Sequence, residues 1–227
     1  MVRNTYDFDQ KEITDFWYII KDNFGGMDEL SSNVRRKVRK SLQYYEYKLV
    51  DIQEVRDNYP IIKATFDDYK VKDRIMNEAV FKEYMDYCDG NDFDYWGIYD
   101  TENQKILGFC TVHLWNNSCE YGMTAIWPEC LRNATYPYYG LYYTLNEYYL
   151  EQCKFKYVTD SARSVTKHSN IQPFLEQNFN FRKAYCKLKM TYKWWFGITV
   201  KMLYPFRAIV PSRNVRAVLN MHGMQTL

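Results

Sequence analysis

The spacing of apolar residues in the N-terminal half predicts strands that alternate with amphipathic helices. The expected elements are a strand at 15–21, a helix after the N-caps at 31–33, a strand at 45–50 and helices at 52–69 and 73–87. In the first helix Val34, Val38 and Leu42 recur every fourth residue, which predicts one apolar stripe. In the last, one face is expected to carry Met76, Val80, Tyr84 and Tyr87.

The middle and C-terminal parts read as a strand series followed by a βαβ unit. The expected strands are 95–99, 106–114, 119–127, 156–160 and 185–192, and the expected helices are 139–152 and 167–178. Turns at 100–103 and 115–118 are short enough for antiparallel hairpins. The middle strands are apolar on both faces, so helices should cover the sheet on both sides. In the last strand Cys186, Leu188 and Met190 alternate with polar residues, which is typical of a half-solvated strand near an edge. The fold class is therefore α/β.

Composition limits the number of domains and the cellular compartment that we expect for the protein. The length of 227 residues fits one domain, and a hydrophobic fraction of 47% supports a sizeable core. The six cysteines form no Cys-x-x-Cys pair, and the N-terminus is charged and lacks an apolar signal region. Reduced, buried cysteines in a cytoplasmic protein are expected. The 23 tyrosines favour core and surface filling over a sugar-stacking surface.

The segment HSNIQPFLEQNFNFRKAYCKL, from His168 to Leu188, carries the strongest resemblance to a known family. Together with the element order over 95–192 it resembles the GNAT superfamily of acyl-CoA-dependent N-acyltransferases, with Asn180 where glycine is usual. The resemblance implies a GNAT-like domain at 1–193 with a central mixed sheet, followed by a C-terminal apolar helix and basic tail at 194–227. The N-terminal part, with its basic helix, more loosely resembles Fem-type aminoacyl transferases of bacterial envelope and polysaccharide pathways.

The resemblance implies acetyl-CoA or another acyl-CoA as cofactor, held by a glycine-rich loop before the crossover helix. Backbone N–H groups of such a loop bind the pyrophosphate, and here 132–140 takes that place. Pro137 and Thr135 replace the glycines, and only Gly140 remains. The residues expected to contact the cofactor by this analogy are Ile126, Trp127, Arg132, Thr135, Gly140 and Asn170.

Acyl transfer to an amine needs a base, donors for the oxyanion and an acid for the leaving group. Glu120, Tyr121 or His113 could be the base, although a solvated strand end for Glu120 and a hydrogen-bonded core position for His113 are the alternative interpretations. Backbone amides at 124–127 are the expected oxyanion donors by family analogy. The family's acid is often a tyrosine, whose place Glu176 takes here. Tyr138 is the candidate replacement, with Tyr136 and Tyr139 as alternatives and packing as the other reading for all three.

Other polar clusters give weaker predictions. Asp160, Ser161 and Arg163 should lie just past a parallel strand, where open α/β sheets bind ligands, or form a simple turn. A triad of Ser161 and Asp160 with His168 lacks the supporting Gly-x-Ser-x-Gly elbow. Zinc ligation by Cys110 and His113 is disfavoured because residues three apart on a strand face opposite sides.

Two surface segments have alternative interpretations. The basic residues at 35–40 could bind a phosphate, a nucleotide sugar, a lipid headgroup or RNA, or form a solvated face; the net charge of +2 argues against nucleic acid. The segment 194–210 is either an interfacial anchor that gives peripheral membrane contact or a helix buried against the sheet or a partner, as in a homodimer.

The leading functional hypothesis is an acyltransferase that modifies an amine of a small molecule or envelope glycan. The alternatives are a non-catalytic GNAT-like binding module and a Fem-type transferase that uses aminoacyl-tRNA. The weakened loop at 132–140 motivates the first alternative, and the basic helix motivates the second.

Overall fold

A computed structural model describes residues 1–69, 76–165 and 170–225 of the chain. Its strands are β1 Val2–Gln10, β2 Trp17–Lys21, β3 Tyr45–Val50, β4 Phe93–Asp100, β5 Ile106–Trp115, β6 Ser118–Ile126, β7 Tyr157–Ala162 and β8 Arg182–Thr191. Its α-helices are α1 Ser32–Tyr44, α2 Ile52–Asp57, α3 Tyr59–Asp68, α4 Glu78–Asp89, α5 Pro128–Arg132, α6 Pro137–Asn146, α7 Ile171–Phe179, α8 Trp194–Leu203 and α9 Arg213–Gly223. Short 3-10 turns lie at Gly26–Glu29 and Tyr204–Phe206, and a π-helical segment, Glu147–Gln152, continues α6.

The larger of two compact units contains residues 21–159 and 177–180. Its strands follow the order β7, β6, β5, β4, β3; β6 and β7 are parallel and the other neighbours antiparallel, so the sheet is mixed. On one face α2, α3 and α4 bury an apolar cluster that includes Ile62, Phe81 and Phe109. On the other face α6 and the π-helical segment pack against β4 and β6, where Trp96 Nε1 donates to the Tyr149 hydroxyl at 2.9 Å. The predicted α/β class, with helices on both faces, is confirmed.

The smaller unit contains residues 1–20, 160–176 and 181–227. Its strands follow the order β1, β8, β2, with the end of β7 beside β2. The predicted alternation of β8 is confirmed, because Cys186, Leu188 and Met190 are buried. Its predicted position near an edge is also confirmed, because β8 pairs with β1, the first strand in the sheet order, as well as with β2. The sequence does not predict β1 itself, because that strand is almost wholly exposed and has no buried side that would indicate it.

The helical predictions need three corrections. The helix expected at 52–69 is two helices that meet at Asn58, because Pro60 starts a new helix more readily than it continues one. In α4 the buried residues are Phe81, Met85 and Cys88, and Val80 and Tyr87 are exposed. In α1 Val34 and Val38 are buried as predicted, but Leu42 is exposed and Ser41 is buried in its place. The start of the helix predicted at 73–87 lies outside the described residues.

Two other predictions concern caps and thiols. Ser31 Oγ accepts from the N–H of Val34 at 3.4 Å, so the predicted N-cap of α1 is confirmed. None of the six cysteines forms a disulfide, and five of them are buried; Cys153 is exposed. Among the described helices, none combines the length and apolar character that crossing a membrane requires.

Candidate active site

The C-terminal half of β6 presents backbone groups away from its antiparallel neighbour. The N–H of Trp127 donates to the carbonyl of Leu107 at 2.9 Å, so the hydrogen-bonded pairs with β5 fall on Trp127 and Ala125. The N–H and C=O groups of Thr124 and Ile126 therefore point away from β5. The Thr65 hydroxyl on α3 confirms this direction for one of them, because it donates to the Ile126 carbonyl at 3.0 Å.

The ladder between β6 and β7 is short. Its pairs are Ser118 with Tyr157, Cys119 with Val158 and Glu120 with Thr159, and β6 continues to Ile126 beyond the last pair. Between Val112 and Cys110 of β5 the register of β6 shifts by one residue, and the extra residue makes a bulge at 122–123. The Thr111 hydroxyl accepts from the N–H of Met123 at 2.9 Å and holds this bulge in place. The end of β6 can therefore accept an extended ligand along its backbone.

The loop between α5 and α6 keeps left-handed backbone without glycine. Ala134 has φ 52° and Tyr136 has φ 60°, and Tyr136 is the N-cap of α6 without a capping side chain. An L-residue pays about 1–2 kcal/mol for this conformation, which glycine adopts freely. The loop thus adopts left-handed backbone at two positions that are not glycine, at a cost in stability.

The amides of this loop do not fit a pyrophosphate. Pro137, the first residue of α6, has no N–H. The N–H of Tyr139 donates to the Tyr136 carbonyl at 2.9 Å. Two of the first three amide positions of α6 are therefore unable to bind a phosphate, which removes most of the usual anion site at a helix N-terminus.

Thr135 and Gly140, both predicted cofactor contacts, pack instead against β3 and α1. The Thr135 hydroxyl is buried, donates to the Cys130 carbonyl at 3.1 Å and accepts from the Tyr45 hydroxyl at 2.5 Å. Desolvation raises the pKa of Tyr45 to about 12, so that hydroxyl keeps its proton as a donor. Gly140 lies against the hydrogen-bonded hydroxyls of Ser41 and Tyr47, which are 2.7 Å apart.

Replacing Gly140 with alanine is expected to destabilise the protein by about 1–3 kcal/mol. A Cβ at this position would lie 2.5 Å from the Tyr47 hydroxyl and 2.6 Å from Ser41 Oγ. Alanine in a helix otherwise gains about 1 kcal/mol over glycine, so a loss shows that the clash outweighs helix propensity. The measurement is the urea midpoint of unfolding. Gly90→Ala is the control, since its new Cβ would have no neighbour closer than 3.8 Å; equal midpoints for the two variants would contradict the prediction.

Replacing Ala134 with glycine is expected to stabilise the protein by up to about 1 kcal/mol, because relief of the left-handed strain exceeds the entropy cost of glycine. Ala134 is exposed, so no packing is lost. The matched variant is Ala79→Gly in the first turn of α4, which is expected to lose about 1 kcal/mol. Thermal unfolding of both variants measures whether the first is more stable, and the second less stable, than wild type. A destabilised Ala134→Gly protein would show that the left-handed backbone at Ala134 is not strained enough to outweigh the entropy cost of glycine.

A cluster of cations on α1 adjoins the same loop. The Lys37 ammonium donates to the Tyr139 hydroxyl at 2.9 Å and lies 5.4 Å from the Tyr136 ring centroid. The outer side of the helix forms a shallow depression of 630 Å³, lined by Ser32, Arg35, Arg36, Arg39, Lys40, Gln43 and Tyr44. Within the described residues Asp28, 3.8 Å from Arg35 and almost fully exposed, is the one carboxylate paired with these cations. The depression can therefore bind a ligand rich in phosphate.

The predicted catalytic residues divide between the two faces of the sheet. Glu120 and His113 are cross-strand neighbours on one face, and the His113 ring stacks on Phe93 with centroids 4.5 Å apart. Tyr121 is the next residue of β6. Its hydroxyl donates to Asn146 of α6, so Tyr121 lies on the opposite face of the sheet from Glu120. Tyr138 belongs to that side, stacked on Tyr142, and burial raises its pKa. The structure brings Glu120 and His113 together and places Tyr138 apart from them.

Arg132 and the backbone positions Ile126 and Trp127 have identifiable partners. The Arg132 guanidinium is exposed and forms an ion pair with Asp68 at 2.6 Å. The carbonyl of Ile126 accepts from the Thr65 hydroxyl, and the N–H of Trp127 donates to the carbonyl of Leu107. The N–H of Ile126 points away from β5, as its carbonyl does.

The remaining predicted residues lie in the smaller unit. Asn170 is exposed, and its carbonyl accepts from the N–H of Phe174 at the start of α7. Asp160 and Ser161 lie within β7 and not past its end, because the strand continues beside β2. Arg163 contacts Asp15, and Glu176 forms a 3.4 Å ion pair with Lys183. His168, the third member of the triad considered with Asp160 and Ser161, lies outside the described residues.

Two residues of the site have no sequence signal that would reveal them. Thr65 follows Ile61 and Ile62 in α3 and reads as a small helical residue, yet its hydroxyl fixes the Ile126 carbonyl. Lys37 is one of five neighbouring cations, and its contact with Tyr139, 102 residues later, follows from the packing of α1 on α6. Long-range hydrogen bonds of this kind leave no periodic pattern in the sequence.

No protein-family model matches the sequence, and no curated protein is similar to it. Solved structures are similar to it. FemX has a TM-score of 0.58 at 10% identity, over 74% of this chain and 59% of its own length. L-PGS from Bacillus licheniformis has a TM-score of 0.52 at 8% identity, over 99% of this chain and 68% of its own. PaiA N-acetyltransferase from Thermoplasma acidophilum, in complex with coenzyme A, has a TM-score of 0.35 at 11% identity, over 48% of this chain and 73% of its own length. At such identities the likeness is one of fold.

Proposed function

We propose that this chain, whose fold is GNAT-like, transfers an acyl group to the amine of a small-molecule or glycan acceptor. One observation carries the proposal: β6 continues for six residues past its last pair with β7, and the amides of Thr124 and Ile126 point away from β5. Such an edge holds an extended acyl donor and places N–H groups beside its carbonyl. Those amides stabilise the oxyanion that forms when the amine attacks.

Glu120 is the base that takes the proton from the attacking amine, and the leaving group of the acyl donor takes up that proton when its bond to the acyl carbon breaks. Glu120 lies at the last pair of the β6–β7 ladder, and β6 continues past that pair to Ile126. His113 is a positioning residue: it is the cross-strand neighbour of Glu120, and Phe93 on one side and Trp115 on the other restrain its ring.

The residues at 132–140 do not fit coenzyme A, because Pro137 and Tyr139 offer no amide to a pyrophosphate and Gly140 is enclosed by Tyr47 and Ser41. The basic depression on α1 supports a different donor, the aminoacyl-tRNA that Fem-type transferases use. Lys40, one of the cations that line it, lies 5.9 Å from the ring centroid of Tyr136 at the start of α6. The net charge of +2 conceals this cluster, because the carboxylates that offset it lie elsewhere in the chain.

Binding measurements separate the two donors. The protein is titrated with unacylated bulk tRNA, with acetyl-CoA and with desulfo-CoA, in 50 mM and 200 mM salt. We expect tRNA binding that weakens steeply with salt, and no rise in melting temperature with either coenzyme. A clear thermal shift with acetyl-CoA and no tRNA binding would replace aminoacyl-tRNA by acyl-CoA as the donor. Binding of tRNA without transfer from aminoacyl-tRNA to any amine tested would instead support a non-catalytic binding module.

A further inference from the structure

Helix α8, which follows β8, exposes an apolar face to solvent. Trp194, Trp195, Ile198 and Met202 are all exposed, Trp194 by 79% and Met202 by 69%. At 100° per residue these four positions fall within an arc of about 100° on the helix. Phe206 and Ile209, just beyond α8, are also exposed. The expectation that 194–210 is buried against the sheet is therefore wrong.

The opposite side of α8 is held in place within the smaller unit. Val200, on the side of the helix away from the apolar face, is buried, as is Leu219 of α9. The Tyr192 hydroxyl and His222 Nδ1 are 3.2 Å apart, and the Tyr204 ring packs against Gly223, where any Cβ would clash with it. The apolar face is thus presented by a helix whose other side is already packed.

The charge of this part of the chain has one sign. Glu176 is the last acidic side chain in the sequence. From 192 onward the charged side chains are Lys193, Lys201, Arg207, Arg213 and Arg216. Lys201 lies about 20° outside the apolar arc of α8, at its edge. Lys201 therefore borders the apolar face of α8, and within residues 1–69, 76–165 and 170–225 no carboxylate forms an ion pair with Lys201 or Arg207.

We propose that the surface formed by Trp194, Trp195, Ile198, Met202, Phe206 and Ile209, with Lys201 and Arg207, docks onto an anionic lipid bilayer. Indole rings favour the headgroup level of a membrane, and lysine and arginine are attracted to anionic headgroups. With ten residues α8 is about 15 Å long, which suits a helix lying in the interface. A second copy is a poorer occupant, since a two-fold interface would bring the same cations together without a carboxylate.

Vesicle flotation tests the proposal. The protein is mixed with vesicles of phosphatidylcholine alone or of phosphatidylcholine and phosphatidylglycerol at 7:3. We expect at least about tenfold stronger partitioning to the anionic vesicles, weakened by salt. The triple variant Trp194→Ser, Ile198→Ser, Met202→Ser is expected to lose about 10²-fold or more, since each apolar side chain buried in the interface is worth about tenfold. The variant Lys201→Glu, Arg207→Glu is expected to lose about tenfold or more on anionic vesicles only.

The control variant is Leu49→Ser, Tyr87→Ser, which removes two exposed apolar side chains of the larger unit and should bind like wild type. Circular dichroism checks that every variant is folded. Wild-type protein that floats with neither vesicle, or a triple variant that floats as well as wild type, would overturn the proposal. So would a wild-type dimer that becomes monomeric in the triple variant while neither binds vesicles, because the face would then be a dimer interface. None of these outcomes depends on acyl transfer.

Discussion

Replacing Glu120 with glutamine is expected to lower the rate of acyl transfer by about 10²–10⁴-fold, because general base catalysis contributes that much and an amide cannot accept the proton. Glutamine keeps the shape of the side chain, and Glu120 lies partly exposed at the end of a three-pair ladder. The melting temperature should therefore stay within about 2 °C of wild type. The measurement is single-turnover transfer of a labelled aminoacyl group from tRNA to an amine acceptor.

Two further variants define the role of Glu120. Glu83→Gln, on the exposed side of α4, removes the same charge away from β6 and should transfer at the wild-type rate. His113→Asn removes the ring that stacks on Phe93, and is expected to lose less, about tenfold, since its effect is on position. A Glu120→Gln protein that retains more than half of the wild-type rate would place the base elsewhere. If Glu120 had only a structural role, its replacement with glutamine would lower the melting temperature together with the transfer rate.

Reversing two charges on α1, Arg36→Glu with Arg39→Glu, is expected to weaken tRNA binding by about 10²-fold at 0.1 M salt. Each phosphate contact contributes roughly a factor of eight at that salt concentration, and its loss lowers the log–log salt slope by about one. Both side chains are exposed and line the depression, so the fold should not change. The measurement is the dissociation constant for tRNA at four salt concentrations between 50 and 300 mM.

The matched control reverses Lys11 and Lys105, which are exposed and lie outside α1. The net charge changes by the same amount, so the control separates a local site from general attraction. Equal weakening in the two double variants, with equal salt slopes, would show that α1 is not the binding surface. A reduced slope in the α1 variant alone would support it.

Periodic patterns predicted the elements that have one buried side. The alternation of Cys186, Leu188 and Met190 marked β8 correctly, and Ser31 marked the start of α1. β1 gave no such signal, because its stability comes from backbone pairing with β8 and its side chains face solvent. Ser41 shows the reverse error: a polar residue is buried and an apolar neighbour is exposed because the hydroxyl of Ser41 has a specific partner in Tyr47.

The site was predictable in position and less so in chemistry. The segment 132–140 does open the crossover helix, and the missing glycines were visible in the sequence. What no local pattern could reveal is how Thr135 and Gly140 are used, since their partners Tyr45 and Tyr47 lie about 90 residues earlier. Net charge likewise concealed the α1 cations, because a sum over the chain carries no information about where charges meet.

The pairing of β8 with the two N-terminal strands also sets an order of events during synthesis. Residues 17–20 pair with residues 182–185, so this contact spans more than 160 positions of the chain. The sheet of the smaller unit therefore has to wait until β8 leaves the ribosome. The larger unit, which is almost entirely contained in residues 21–159, needs no such partner. Contacts of long sequence separation form slowly. β1 thus stays unpaired until β8 has been made, and a chain stalled before residue 182 would expose β1 and one edge of β2 to aggregation.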